Sequence, residues 1–353
     1  MFLFKKKLKS CLGIDISASS IKIIELGRED GRHKLNNYAI FSLEKYLKSK
    51  DRQSHAEDFQ ISNEEIAKII KQTIKEANIK SRDVYFSIPV YSSFYTLIDF
   101  PNMSQKEIEA AIPFEARKYI PLPISEVVLD WSVVSPPNNK NGKQVLLIAV
   151  PKKIINNYNE IVKLAGLNLI GIEGETFSLT RSLIGNDKSV IILIDNGARS
   201  INISIIDDGY IRVTNNLEMG GRKITKAIAQ QMNLDFEKAE YFKKKLSSEE
   251  SIDQINNQLK GIVQSSIGMI VIEIKKIIDN YQNKYNRKIE KSILVGSGVY
   301  LSGFTDSLIN KLSLDASIGN PFARIIYPDI LKSTLKDLGP SLAVTIGLAM
   351  REE

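Results

Sequence analysis

Residues 12–22 read LGIDISASSIK, and residues 192–203 read ILIDNGARSINI. Shifted by 180 positions, Ile14, Asp15, Ala18, Ser20, Ile21 and Ile23 fall on Ile194, Asp195, Ala198, Ser200, Ile201 and Ile203, six of the ten positions 14–23. Each copy is an apolar run ending in Asp, a turn of small residues, and a return to apolar alternation. That pattern predicts a buried strand, a tight loop and a paired strand. A hairpin repeated at matched register predicts a duplicated α/β domain.

The turn also suggests chemistry. Small side chains let the backbone approach a ligand, and successive N–H groups in one concavity bind phosphate oxygens. A strand-ending Asp repels phosphate, so its fitting role is to hold hydrated Mg²⁺, which keeps several waters and needs only one or two carboxylates. Two facing hairpins would clamp a di- or triphosphate, with Asp15 and Asp195 as the metal-organising pair.

A chain of 353 residues is long enough for two domains, or for one duplicated domain with an insertion. Its single cysteine, Cys11, excludes an internal disulfide and fits a reducing compartment. With only the isolated His33 and His55 beside it, neither a zinc site nor a thiolate–imidazole pair is credible. No apolar run approaches the roughly 18 residues of a membrane span. The start, MFLFKKKLKS, has no secretory apolar core, so a cytoplasmic protein is expected. That stretch reads as a basic tail or a weak membrane contact. The net charge is +7, but the lysines are scattered and no zinc-knuckle or RNA-binding signature accompanies them. No specific nucleic-acid partner is expected.

Along the chain, strands are expected at 12–16, 20–27 and 37–43, and a charged loop at 44–61. A helix opens at Ser62, with Glu65 completing a capping box. Residues 84–166 have another texture: strands VYFSIPV and FYTLIDF, and a helix from Ser104 to about Tyr119 kinked at Pro113. Strands EVVLDWSVV and QVLLIAV follow, joined by the exposed tip PPNNKNGK, then a helix at 152–165. This is a compact α+β insertion, and its Phe114, Tyr119 and Trp131 either line an apolar groove or fill its own core. Later come a strand at 168–173, a helix at 175–184, a long helix at 252–283, and the Gly-rich turn VGSGVYLSG (295–303). A last helix is expected from Gly339–Pro340. The turn offers backbone against which a base or ribose can lie. Glu240 and Lys243, three apart, share a helix face and read in isolation as a surface ion pair.

Hairpin, insertion, hairpin, Ala-Glu-x-x-Lys helix and Gly-rich turn, in that order, resemble the actin/sugar-kinase/heat-shock chaperone ATPase superfamily. Within it, LGIDISASSIKIIEL, FPNMSQKEIEAAIPFEARKYIPLPISEVVLDW, LIDNGARSINISIIDDG, LEMGGRKITKAIAQQM, ILVGSGVYLSGF and PSLAVTIGLAM resemble the PilM family of type IV pilus assembly. The insertion, with its PFEARKYIPLP, is similar to the subdomain shared with the cell-division protein FtsA.

The resemblance implies an actin-like ATPase fold: two duplicated α/β domains with an FtsA-type α+β subdomain inserted in the first. Implied boundaries are 11–83 and 167–187 for the first domain, 84–166 for the insertion, 188–334 for the second domain, and 335–353 for a helix returning to the first. It implies ATP with Mg²⁺ organised by Asp15 and Asp195. Phosphates fall to Ser17, Ser19, Ser20, Lys22, Gly197, Ala198 and Arg199, ribose and base to Glu240 and Lys243, and the adenosine pocket to Gly296, Ser297, Gly298 and Gly303. Glu173 is the implied water-positioning acid, with Glu175 second. Asp-Ile-Ser replaces the usual Asp-x-Gly and Gly-Ser-Gly replaces paired glycines, which puts ATP hydrolysis in question.

The implied partner is the N-terminal cytoplasmic tail of a PilN-like inner-membrane protein, bound at the insertion. Other pilus assembly proteins and self-association follow as further expectations. The implied work is that of a nucleotide-dependent scaffold, held at the inner membrane through its partner. A sugar-type kinase and an FtsA-like filament protein are the alternatives. No acceptor pocket marks a kinase, and no linker and amphipathic helix follow the last core helix.

Overall fold

The computed structural model describes residues 10–49, 61–134, 142–247 and 255–352. The N-terminal basic stretch, His55 and the hairpin tip at 136–141 lie outside the described residues.

The first sheet begins with an antiparallel meander, β1 (Ser10–Ile16), β2 (Ser20–Glu29) and β3 (Arg32–Ser42). A short helix, α1 (Leu43–Lys48), follows where a loop was expected, capped by the Ser42 side chain. Helix α2 (Asn63–Glu76) starts at Ser62 as its capping signal predicts. Only half of the capping box forms, because the Glu65 carboxylate accepts from the Tyr46 hydroxyl instead.

Strand β4 (Asp83–Ile88) pairs in parallel with β1. The insertion then supplies β5 (Phe94–Phe100), α3 (Gln105–Ala116, with Pro113 inside), β6 (Val127–Val134) and β7 (Lys143–Pro151). Helix α4 (Lys152–Ala165), strand β8 (Asn168–Gly174) and helix α5 (Glu175–Leu179) lead out of it. A π-helical turn, Thr180–Ile184, extends α5.

The second sheet repeats the scheme with β9 (Ile191–Asn196), β10 (Ile201–Asp207) and β11 (Tyr210–Leu217). Helices α6 (Gly221–Gln231), α7 (Phe236–Ser247) and α8 (Ile255–Tyr285) follow, then β12 (Lys291–Val295), α9 (Phe304–Leu312) and β13 (Ala316–Ile318). The chain closes with β14 (Ile325–Ile326) and α10 (Lys332–Ala349).

The strand orders are β14-β3-β2-β1-β4-β8 and β11-β10-β9-β12-β13. With β14 set aside, the two are the same: a reversed meander followed by two parallel strands. Register repeats as well. Asp15 stands opposite Lys22 and Asp195 opposite Asn202, each member displaced by 180 residues from its counterpart. The duplication read from the sequence is therefore a duplication in space.

Both central strands are flanked on each side and covered on each face, which is why they read as nearly continuous apolar runs. Leu12, Ile14, Ile21 and Ile23 pack with Ile69, Ile70 and Ile74 of α2 and with Tyr158, Ile161 and Val162 of α4. Ile192, Ile194 and Ile203 pack with Ile267, Ile270 and Ile274 of α8. A third cluster joins the domains through Leu179, Leu193, Val295, Ala343, Val344 and Leu348.

Two readings of the sequence change here. The insertion comprises the sheet β5-β7-β6 and α3, not all of 84–166. The run VYFSI of β4 is a buried strand of the first sheet, and the stripe of α4 faces the first domain's core. Trp131 packs against the insertion's own core, whereas Phe114 and Tyr119 are 66% and 49% exposed. The last helix starts at Lys332 and carries Pro340 in its interior. Proline there removes an N–H that would bond the carbonyl four residues earlier. That carbonyl, Lys336 O, takes a long contact of 3.5 Å from the Tyr300 hydroxyl, and Pro340 O accepts from Gly296 N at 2.9 Å. Among the described residues no helix is long and apolar enough to cross a membrane.

Candidate functional site

The two hairpins face each other across a cleft lined by Asp15, Ser17–Ser20 and Lys22 on one side and by Asp195, Gly197–Ser200 and Asn202 on the other. Glu175, Pro340, Ser341 and Val344 contribute from the helices between the domains, and Gly296 and Ser297 from the Gly-rich turn. Pro89 and Tyr91, where the chain leaves β4 for the insertion, and Leu179 of α5 complete the lining.

Both loops close on the same hydrogen bond: Ser17 N donates to Ser20 O at 2.9 Å, and Gly197 N to Ser200 O at 3.0 Å. Ser17 replaces the expected glycine without cost, since neither residue has a positive φ. Its hydroxyl adds a second bond to Ser20 O at 2.9 Å. Gly296 is a different case. Its φ is +91°, and a Cβ there would lie 2.4 Å from Asp195 Oδ1, so only glycine lets this turn pass over the carboxylate. Gly298 N donates to Asn196 O at 2.8 Å, tying the same turn to the strand end.

The charge in the cleft is unbalanced. Asp15 is buried, accepting from the Ser87 hydroxyl at 2.7 Å and from Lys22 Nζ at 3.2 Å. Burial pushes Asp195 up to about 6, with Asp15 raising it further and Lys22 and Asn202 opposing. Glu175 accepts from Val90 N and from Asn202 Nδ2, each at 3.1 Å. Burial, then the charges of Asp15 and Asp195, hold it well above the usual carboxylate range, against the Val90 amide and Lys22. Among the described residues Lys22 is thus the one cation bonded to any of the three carboxylates, the lining's other cation, Arg199, lying over the Tyr91 ring. Among the described residues no group of three or more His, Cys, Asp or Glu is close enough to hold a metal ion directly.

Other expected residues lie elsewhere. Glu173, the first choice as water-positioning acid, does not line the cleft. Its oxygens accept from Arg181 at 2.6 and 2.8 Å, Ser178 at 2.6 Å and Arg351 at 3.0 Å, which makes it a buried structural anchor. Glu175, two residues on, is the carboxylate that faces the cleft.

Glu240 and Lys243 also stand behind the lining. Lys243 Nζ bonds Gly221 O at 2.9 Å, Thr225 Oγ1 at 2.7 Å and Glu240 Oε2 at 2.6 Å. This partly buried pair braces the start of α6, whose Gly221 N in turn donates to Gly197 O. Gly303 begins α9 with φ +75°, away from the hairpins.

Several residues that line the cleft or bond to its lining escaped the sequence reading. Asn202 was findable, since it occupies Lys22's position in the second copy. Ser87, Tyr91 and Arg222 left no local signal. Arg199 lies 4.4 Å over the Tyr91 ring, and Arg222 Nη2 reaches Ala18 O at 3.4 Å and Glu44 at 3.5 Å. Both contacts bridge the two domains.

The family described as type IV pilus assembly protein PilM matches residues 13–353. The cell division protein FtsA of Staphylococcus epidermidis is 22% identical over 94% of this chain and 79% of its own length. A solved PilM–PilN type IV pilus biogenesis complex superposes with a TM-score of 0.83 at 24% identity, covering 98% of this chain and 99% of that one. MreB5 of Spiroplasma citri, solved bound to ADP, superposes with a TM-score of 0.54 at 12% identity over 97% of this chain and 95% of its own. The architecture is the actin/FtsA-type fold.

Proposed function

This chain belongs to the PilM family of type IV pilus assembly proteins, and we propose that it acts there as an ATP-responsive scaffold that takes the tail of a PilN-like inner-membrane protein. The observation that carries the nucleotide half is the cleft itself: two Asp-ended hairpins facing each other, with buried negative charge that Lys22 alone does not balance. A divalent cation would relieve that excess, so the residues present fit Mg²⁺. Asp15 and Asp195 would hold it through its waters, and its charge would favour bound phosphates.

The chain's own groups do the rest. The loops at 17–20 and 197–200 present backbone and hydroxyl groups to phosphate oxygens, with Lys22 and Arg199 as cations. Gly296 and Ser297 back the nucleoside side. Glu175 orients a water, and burial, which holds its carboxyl well above the usual carboxylate range, suits slow turnover and a switching role. A steady-state rate below about 1 s⁻¹ is expected.

Thermal melting with Mg–ATP, Mg–GTP and EDTA tests the nucleotide reading. A ligand at a hundred times its Kd adds about 2.7 kcal/mol, several degrees in a domain of this size. No shift at millimolar Mg–ATP overturns it.

The partner half rests on the insertion. Strand β6 is an edge of its sheet, and its Ser132 and Val134 line a groove with Leu146, Phe177, Arg181 and Tyr210. An extended tail would gain backbone pairing on β6 and apolar anchors in the groove. The test is titration of a synthetic PilN-tail peptide into the whole chain and into a variant with residues 94–151 replaced by a short linker. Equal binding by the shortened, still-folded protein contradicts the assignment.

A further inference from the structure

The five residues between β4 and the insertion, Pro89–Ser93, are held from the cleft. Val90 N donates to Glu175 Oε2 at 3.1 Å, and the Tyr91 ring carries the Arg199 guanidinium on its face at 4.4 Å. Glu175 belongs to the linking helix and Arg199 to the second domain's loop, yet the segment they grip runs directly into β5. At its far end Tyr95, on β5, presses its hydroxyl against Gly174, where a Cβ would lie 1.8 Å away. The root of the insertion is thus packed on the residue preceding Glu175 and pinned to two cleft groups.

The contact of Arg199 with the Tyr91 ring has a chemical consequence. A guanidinium meets an aromatic face through its plane and keeps its N–H edge for in-plane bidentate bonds to phosphate. We infer that segment 89–93 is a nucleotide-sensing joint, in which Tyr91 positions Arg199 for phosphate from the opposite domain and cleft occupancy thereby sets the posture of the inserted subdomain. This rests on the nucleotide reading above. By linkage, whatever docks on the insertion must feel the nucleotide to the same degree as the nucleotide feels the docked partner.

The test uses the full chain with spin labels at Glu109→Cys on α3 and Lys276→Cys on α8, both exposed, while the buried Cys11 stays unlabelled. Distance distributions are recorded with and without Mg–ATP, and nucleotide affinity is measured in parallel. Wild type should bind and show a nucleotide-dependent distance change. Tyr91→Ala should bind about two- to fivefold more weakly, the value of one exposed cation–π contact, and lose the distance change. Tyr91→Phe keeps the ring face and should restore both. Binding without any distance change, or equal affinity and distances in Tyr91→Ala, overturns the joint while leaving the nucleotide reading intact. Absence of Mg–ATP binding in wild type removes both.

Discussion

The two hairpins share a backbone and differ in charge. In the first, Asp15 is met by Lys22 from the facing strand and by Ser87 from β4. In the second, Asn202 holds Lys22's place, and Asp195 sits where ionisation is costly. Duplication kept the hydrogen bond that closes each loop and let the side chains diverge. The first copy pairs its carboxylate with a strand lysine, whereas the second leaves its carboxylate to be neutralised by a ligand and places its cation, Arg199, over Tyr91. Equivalence of fold is not equivalence of role.

That asymmetry breaks most visibly at Lys22. Removing one partner of a buried pair leaves the other charge uncompensated, so Lys22→Ala should cost about 3–5 kcal/mol in urea unfolding at neutral pH. Asn202→Ala, at the matching position, removes hydrogen bonds to Glu175 and Asn216 but no charge, and should cost less, about 1–2 kcal/mol. Equal losses would mean that the copies do the same work.

Asp195→Asn sharpens the comparison in the opposite direction. The folded-state value of about 6 lies above the ordinary 3.8, so the ionised group costs stability above pH 6. That cost fades as pH falls through 6 and is gone below 3.8. The interval is worth about 3 kcal/mol. The variant should therefore be more stable than wild type at pH 8 by up to that amount, converge with it near pH 4, and lose the Mg²⁺-dependent part of ATP binding. Unfolding curves at both pH values check the sign.

A pair two residues apart separates scaffold from chemistry. Glu175→Gln keeps an oxygen to accept from Val90 N and Asn202 Nδ2, so stability and Mg–ATP affinity should change little while turnover falls. Glu173→Gln weakens the bidentate Arg181 bond and should lower the melting temperature without touching single-turnover hydrolysis. The smallest effect is expected at the Arg222–Glu44 bridge between the domains. Arg222–Glu44 is a partly exposed pair worth up to about 1 kcal/mol. Glu44→Gln should speed release of a fluorescent ATP analogue by about two- to fivefold at low salt, with the difference shrinking as salt rises.

What was legible follows from range. The hairpins announce themselves because a strand's apolar period and its terminal Asp are local, and a second copy confirms the register. Asn202 lay within reach of the same alignment. Glu173 and Glu175 flank the junction of β8 with α5, where strand alternation stops predicting direction, so the sequence ranked them in the wrong order for the cleft. The insertion's limits were hidden for another reason: the stripes of β4 and α4 say that they are buried, not in which core. Pro340 resembled a helix start because the groups that satisfy its freed carbonyl and its own, Tyr300 and Gly296, lie some forty residues away. The contacts across the cleft, Arg199 on Tyr91 and Arg222 on Ala18, join distant segments and leave no pattern in either.

The central claim is that the unequal carboxylates of the two hairpins are completed by Mg–ATP. Calorimetric titration of Mg–ATP at pH 6, in two buffers of different ionisation enthalpy, reads affinity and proton exchange together. The account predicts saturable binding with net proton release that diminishes in Asp195→Asn, because charge compensation in the cleft drives that carboxyl to ionise. Absence of binding, or binding with the same proton release in wild type and variant, would contradict it.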